Sequence, residues 1–145
     1  MSIKQVIGIV APSSPVPDGL IKQSVEYCQR LGFKVKTGRH LDKKELFAAG
    51  RDEERAADIM DFIKDPEVSV IITTNGGTCS IRTLPLLDYD LITQNPKLIV
   101  GYSDTTALQV GIYAKTGALS VTGFNCSDIK TELSQETHCR LFCIA

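Results

Sequence analysis

The stretch VIGIV, residues 6–10, is the part of the sequence that predicts the fold most directly. It is a continuous run of mostly β-branched residues, and it ends at the proline-containing turn APSSP, residues 11–15. A half-exposed strand alternates between apolar and polar residues, whereas a run without alternation is typical of a strand buried on both faces. The stretch therefore predicts a central strand of a parallel sheet.

The residues that follow this strand complete a β-α-β unit. Apolar residues recur at helical spacing from Ile21 to Leu31, and Gly32 follows at a position where helices commonly end. Residues 33–36 (FKVK) then alternate as a shorter and more exposed strand would. Two parallel strands joined by a helix are thus expected within the first 36 residues.

The same alternation continues along the chain. Residues 41–50 are polar and are expected to be irregular or partly helical, and Asp52 is a candidate N-cap of a helix that ends at Asp65-Pro66. Further strands are predicted at residues 68–72, 98–101 and 119–122, and helices at residues 81–87 and 105–115. This pattern predicts the α/β class, with an open, mostly parallel sheet of four or five strands flanked by helices.

Composition limits the classes of function. Sixteen basic and seventeen acidic residues give a formal net charge of −1 over 145 residues, without a block of like charge. No nucleic-acid partner is therefore expected. The first residues have neither the layout of a signal peptide nor the length of a membrane span, so we expect a cytoplasmic protein without a membrane partner.

The cysteines mark a change in composition near the end of the chain. Their number is five and no C-x-x-C pair occurs, so neither a disulfide framework nor a zinc site is predicted. Cys126, Cys139 and Cys143 fall in the last twenty residues together with His138. We therefore expect an α/β domain over residues 1–122 and a divergent, cysteine-rich tail over residues 123–145.

Ser103 is the candidate nucleophile. The predicted strand at residues 98–101 runs through Gly101-x-Ser103 directly into a helix, which is the pattern of a nucleophile elbow. The backbone N–H of Asp104 and the helix N-terminus would then favour developing negative charge beside the serine hydroxyl. The alternative is that Ser103 only caps the helix.

Two other strand ends should meet Ser103 at the same edge, because ligands of such sheets bind beyond the carboxyl ends of the strands. Gly76 and Gly77 could bring backbone N–H groups to a substrate oxygen, or could form only a tight turn. Ser13 and Ser14 either line this edge or form a simple loop. Cys79 is either a reactive thiol at a helix start or a small buried residue.

Nucleotide binding of the common kinds is not predicted. Neither a G-x-G-x-x-G run nor a glycine-rich loop followed by a lysine occurs in the sequence.

Several stretches, taken together and in this order, resemble the LD-carboxypeptidase family of serine peptidases. They are residues 7–14 (IGIVAPSS), 76–77 (GG), 84–90 (LPLLDYD), 95–97 (NPK), 101–108 (GYSDTTAL) and 111–117 (GIYAKTG). The similarity covers residues 5–120 and is greatest to the microcin C immunity branch of that family.

The resemblance implies a cytoplasmic serine hydrolase that needs neither metal nor cofactor. Ser103 matches the nucleophile, Asp104 and Gly77 match positions whose N–H groups bind the oxyanion, and Gly76 and Thr78 belong to the same substrate-binding loop. The implied substrates are murein peptides with a terminal D-residue or, in the immunity branch, peptide-nucleotide antibiotics. Family members are commonly homodimers.

The chain also departs from the family. Thr78-Cys79 replace the residues usual after the paired glycines, which affects the expected substrate contacts. Family proteins are much longer, and they take a glutamate and a histidine from a C-terminal domain that we expect this chain to lack. Glu132 or Glu136 with His138 could replace them, whereas His40 is expected at the surface. The alternative function is a catalytically incomplete lobe that serves only in binding or dimerisation.

Overall fold

The computed structural model describes residues 5–129. Its centre is a five-stranded sheet with the order β2-β1-β3-β4-β5, and every neighbouring pair of strands is parallel. The strands are β1 (Val6–Val10), β2 (Lys34–Thr37), β3 (Val68–Thr73), β4 (Leu98–Gly101) and β5 (Ser120–Thr122). The helices are α1 (Leu20–Arg30), α2 (Asp52–Lys64), α3 (Tyr89–Gln94) and α4 (Thr105–Thr116), with 3-10 helices at Ser80–Leu86 and Cys126–Asp128. The expected α/β sheet flanked by helices is confirmed.

The first strand is central, as its unbroken apolar sequence predicts. All five residues of β1 are buried, and the strand pairs with β2 on one side and β3 on the other. Gly8 allows α2 to approach closely, because a Cβ at this position would lie 2.6 Å from the Phe62 ring. The two strands at the switch in strand order, β1 and β3, are therefore fixed against the same helix.

The core consists of two apolar clusters, one on each face of the sheet. Helices α2, α3 and α4 cover one face, with the buried residues Ala56, Ile59, Ile63, Ile92, Leu108 and Ile112 packing on alternate strand residues. Helix α1 and the segment after β5 cover the other face, with Tyr27, Cys28, Phe124, Cys126 and Ile129 buried. A buried parallel sheet needs this cover on both faces, since its strands are apolar on both sides.

Several element boundaries differ from the sequence expectations. Arg51, and not Asp52, is the N-cap of α2; the Arg51 N–H donates to the Glu54 carboxylate at 2.9 Å, and Asp52 is already helical. Residues 41–50 contain no helix, but a short antiparallel bridge joins Glu45 to Ala48.

The sequence patterns also missed α3. This six-residue helix is shorter than two full turns, so it shows little periodicity. It starts at a local signal all the same, because the Asp88 carboxylate accepts a hydrogen bond from Leu91 N at 2.9 Å.

Packed structure continues past Thr122, where the sequence suggested a boundary. Phe124, Cys126 and Ile129 are buried against α1, and the Ser24 hydroxyl lies 2.8 Å from the Cys126 carbonyl and 3.1 Å from that of Ile129. Residues 124–129 thus belong to the second core cluster. Glu132, Glu136, His138, Cys139 and Cys143 lie outside the described residues.

Within residues 5–129, none of the helices has the length and hydropathy that a membrane-spanning segment requires.

Truncation of a buried and of an exposed isoleucine should lower the free energy of unfolding by very different amounts. Ile71 in the central strand β3 has 0% exposure, whereas Ile81 has 58%. We expect Ile71→Ala to lower the free energy of unfolding by about 2–5 kcal/mol, because it leaves a cavity. Ile81→Ala serves as the matched control and should change it by less than about 0.5 kcal/mol. Urea unfolding monitored by circular dichroism measures both values, and equal effects would contradict the burial of β3.

Candidate active site

Three loops meet at the carboxyl edge of the sheet. They follow β1, β3 and β4, and they carry Ser13, Gly76 and Ser103 respectively. In the strand order β2-β1-β3-β4-β5 the direction in which successive strands are added to the sheet reverses between β1 and β3, and such a reversal opens a crevice between the two loops. The sequence-predicted site residues are thus brought to one place by the topology.

Ser103 occupies a strained turn between β4 and α4. Its φ is +66°, a left-handed conformation that costs a non-glycine residue about 1–3 kcal/mol. The turn is closed by hydrogen bonds from Thr106 N to the Ser103 carbonyl (2.9 Å) and from Thr105 Oγ1 to the Tyr102 carbonyl (2.8 Å). The serine side chain is exposed. This is the geometry of a nucleophile elbow.

Ser103 does not cap the following helix. The N-cap is Asp104, and within residues 5–129 the Ser103 hydroxyl has no hydrogen-bond partner. The alternative that the sequence left open, a serine present only as a cap, is therefore wrong. The hydroxyl stands free at the helix N-terminus.

Gly76 lies directly against Ser103. A Cβ on Gly76 would be 2.7 Å from Ser103 Cβ, 2.8 Å from Ser103 Oγ and 3.6 Å from the backbone nitrogen of Asp104. The position requires glycine for space, since its φ is not in the left-handed region. The glycine loop and the elbow therefore form one continuous surface around the hydroxyl.

Gly77 requires glycine for two reasons. Its φ is +134°, and a Cβ here would collide with Ser14 Oγ. Its N–H and the N–H of Asp104 have no hydrogen-bond partner among the described residues. Backbone N–H donors without a protein partner are the groups that an oxyanion hole requires.

Thr78 is held by the serines of the first loop. Its backbone N donates to Ser14 Oγ at 3.3 Å, and its carbonyl lies 3.2 Å from Ser13 Oγ. Ser13 is fully buried and Thr78 is exposed. The Ser13-Ser14 pair is thus part of the site and not merely a loop at its border.

The side chain of Asp104 joins the three loops. Its Oδ2 atom accepts hydrogen bonds from Ser13 Oγ (2.5 Å) and from Ser80 N (2.9 Å), while its carbonyl accepts one from Ser80 Oγ (2.7 Å). The sequence patterns had indicated only the backbone N–H of this residue. Contacts across 91 residues of chain leave no signal in a local motif.

A buried guanidinium on α2 holds the loops that follow β1 and β3 in place. Arg55 in α2 is 1% exposed; its Nη1 donates to the Pro12 carbonyl at 2.5 Å and to the Cys79 carbonyl at 3.1 Å. Its charge is balanced by Asp52, which also pairs with Arg82 at 2.8 Å. Arg55 was also missed, because an arginine in a helix usually faces solvent.

The Asn125 side chain links the end of β3 to the residue that precedes Ser103. Its Oδ1 accepts hydrogen bonds from Thr73 Oγ1 (2.6 Å) and from Tyr102 N (3.4 Å), and its side chain is buried. The ends of β3 and β4 are therefore joined on this side as well.

Cys79 is a buried thiol. It is 6% exposed, and burial raises the pKa of its thiol above the ordinary value. The same cause raises the pKa of Cys28 to about 11 and that of Cys126 to about 12. Of the two interpretations that the sequence allowed, the small buried residue is the one the structure supports.

His40 does not face Ser103. Its Nδ1 is 2.8 Å from Asp58 Oδ1, and its backbone N donates to Asp58 Oδ2 at 3.0 Å. It follows β2, which is three positions from β4 in the sheet, or roughly 14 Å at the usual strand spacing. No histidine among residues 5–129 is therefore placed to act as the base for Ser103.

In the described part of the chain, no group of three or more His, Cys, Asp or Glu side chains is arranged to hold a metal ion.

Fold and site together define a class: an α/β domain that presents a serine on a nucleophile elbow beside unpaired backbone N–H groups, as serine hydrolases do. The sequence model of the LD-carboxypeptidase N-terminal domain matches residues 7–123. The chain belongs to this family.

Individual relatives agree with this assignment. The microcin C7 self-immunity protein MccF of Escherichia coli is 40% identical over 126 residues, which are 85% of this chain and 37% of that protein. A probable murein peptide carboxypeptidase of Bacillus subtilis is 33% identical over 117 residues, 81% of this chain and 37% of the relative. The structure of MccF in complex with aspartyl sulfamoyl adenosine superposes with a TM-score of 0.90 at 35% identity, covering 99% of this chain and 45% of that one. The chain thus spans less than half the length of these relatives.

A side chain at position 76 should lower the reactivity of Ser103. Gly76→Ala places a methyl group against the serine hydroxyl, so we expect phosphonylation of Ser103 by a fluorophosphonate probe to slow by about 10- to 100-fold. Gly19→Ala is the control, because it strains a left-handed glycine with no atom within 4 Å of the new methyl. The rates are measured by intact-mass spectrometry, and an unchanged rate in Gly76→Ala would contradict the site geometry.

The Cys79 thiol should be protected from alkylation in the folded protein. At pH 8 we expect iodoacetamide to modify Cys79 in the folded protein at least about 10-fold more slowly than in urea, because burial limits access and raises the thiol pKa. Peptide mass spectrometry separates this cysteine from the others. Equal rates in the folded and unfolded protein would show that the thiol is accessible.

Proposed function

We propose that this chain contains the nucleophile-bearing N-terminal domain of a serine hydrolase that cleaves an amide through an acyl-serine intermediate, and that this domain extends past the predicted boundary at residue 122 to include residues 124–129. The observation that carries the proposal is the strained turn at Ser103, with its free hydroxyl against Gly76. A protein with no use for this hydroxyl would gain stability by relaxing the turn. Family membership supports the same chemistry.

The proposed reaction is acyl transfer. Ser103 Oγ attacks the carbonyl carbon of the scissile amide while a base takes the hydroxyl proton. The N–H groups of Asp104 and Gly77 bind the oxyanion, the C–N bond breaks, and the base returns the proton to the leaving amine. Water then attacks the ester on Ser103, which releases the acid and restores the hydroxyl. Gly76 and Thr78 line the substrate side of this loop.

The base is assigned to a part of the protein outside the described residues. The His40 ring is hydrogen-bonded to the Asp58 carboxylate, and His40 lies far from Ser103 across the sheet. The relatives are much longer than this chain, so a further domain is the natural source of an acid and a histidine. Glu132 or Glu136 with His138 stays the alternative prediction.

The proposed substrate is a small peptide or a peptide-nucleotide. The relatives comprise a microcin C7 self-immunity protein and a probable murein peptide carboxypeptidase, and the superposed MccF structure contains aspartyl sulfamoyl adenosine. We therefore propose cleavage at the C-terminal end of a murein peptide, as in murein recycling, or of a microcin C-type antibiotic. A cytoplasmic homodimer that needs no cofactor stays a prediction.

A second candidate function is a binding or dimerisation module without catalysis. It is favoured by one observation, the lack of a histidine near Ser103 in the described residues. Such a module would bind aspartyl sulfamoyl adenosine without ever forming an ester on the serine.

The test is covalent labelling of the serine. We expect a fluorophosphonate to phosphonylate the chain at Ser103, because the elbow and the two N–H groups act even where the base is absent. Ser103→Ala should abolish labelling, whereas Ser69→Ala, a control at an exposed serine of β3, should not change it. Tandem mass spectrometry identifies the modified residue.

Two results would separate the candidates. Equal labelling of the parent chain and Ser103→Ala would reject the nucleophile. Tight binding of aspartyl sulfamoyl adenosine by calorimetry, without labelling at Ser103, would instead establish the binding module.

A further inference from the structure

The carboxylate of Asp104 needs an explanation of its own. It belongs to the residue after the nucleophile, where a negative charge opposes the charge that develops on a bound oxyanion. It does not cap its own helix either, since no side-chain capping bond is present. A charge in this place is unfavourable for the proposed chemistry, so its benefit must come from geometry.

The carboxylate is directed at the loops that face the elbow. Its Oδ2 atom receives Ser13 Oγ from the loop after β1 and Ser80 N from the loop after β3, at 2.5 and 2.9 Å. Ser80 is also fixed in the reverse direction, because its hydroxyl donates to the Asp104 carbonyl at 2.7 Å. A single oxygen atom thus joins all three loops of the site.

These bonds determine where the glycine loop lies. Gly77 precedes two anchored residues: Thr78, held by Ser14 Oγ at 3.3 Å, and Ser80, held by the Asp104 carboxylate. Ser14 Oγ also fills the space beneath Gly77. The distance between the N–H of Gly77 and the N–H of Asp104 therefore depends on the bonds at Oδ2.

We propose that the Asp104 carboxylate and the Ser13 hydroxyl are positioning groups, which set the separation of the two N–H donors that bind the oxyanion. The inference rests on the proposed function and concerns two side-chain groups, which act through the backbone N–H donors without touching substrate themselves. It assigns the role to hydrogen-bond acceptance and not to charge. Asp104→Asn keeps one acceptor oxygen in the same place, so it should preserve the position of the glycine loop.

The experiment compares two pairs of variants. Asp104→Ala removes the acceptor, and Asp104→Asn retains it without the charge. Ser13→Ala removes one donor, and Ser24→Ala is its matched control, since Ser24 is also fully buried and bonds the carbonyls of Cys126 and Ile129 on the opposite face of the sheet. Thermal unfolding measures the stability lost in each variant.

Two readouts report the position of the loop. The first is the second-order rate constant for phosphonylation of Ser103, which we expect to fall about 10- to 100-fold in Asp104→Ala and Ser13→Ala, as for other groups that orient a reacting centre. It should change less than about threefold in Asp104→Asn and Ser24→Ala on the same scale. The second is the ¹⁵N–¹H resonance of Gly77, a residue that none of the variants replaces, which should shift more in Asp104→Ala and Ser13→Ala than in Asp104→Asn and Ser24→Ala.

The results test the nucleophile and the two positioning groups separately. An unshifted Gly77 resonance in Asp104→Ala and Ser13→Ala overturns the positioning role, as does an Asp104→Asn variant that behaves like Asp104→Ala. If the parent chain is not labelled at Ser103, the proposed function fails, and the Gly77 resonance alone decides the positioning proposal. If Asp104→Ala does not fold, Ser13→Ala against Ser24→Ala makes the same comparison.

Discussion

The hydrogen bonds to Oδ2 of Asp104 are the interaction on which the site depends. Three loops that lie far apart in sequence become one surface because Ser13, Ser80 and Asp104 meet at this atom. The buried Arg55 holds the first two loops from the helix side, through the carbonyls of Pro12 and Cys79. The parallel sheet brings the loops to the same edge, and these buried polar bonds fix their mutual distances.

The fold was largely predictable, because its signals are local. The run VIGIV at residues 6–10 indicated a central strand, and the later runs indicated the other strands of a mostly parallel sheet, in which the structure makes every pair parallel. Only short or atypical elements were missed, such as α3, which is too short to show periodicity. The Arg51 cap of α2 departed from the residue types that usually fill that position.

The site was predictable in part. The nucleophile elbow has a sequence signature, and the structure gives Ser103 the left-handed φ that such a turn requires. The roles of Ser13, Arg55 and Asn125 had no signature, since their partners in the loops and at the strand ends are separated from them by 23 to 91 residues. A short motif indicates which residue is presented, whereas the tertiary fold determines what holds it in place.

The central claim is that Ser103 faces an oxyanion hole made by the N–H groups of Asp104 and Gly77. A crystal structure of the phosphonylated chain tests it most directly. The account predicts a bond from phosphorus to Ser103 Oγ and a phosphonyl oxygen about 2.7–3.1 Å from both nitrogens. A phosphonyl oxygen directed to solvent, away from both N–H groups, would contradict it.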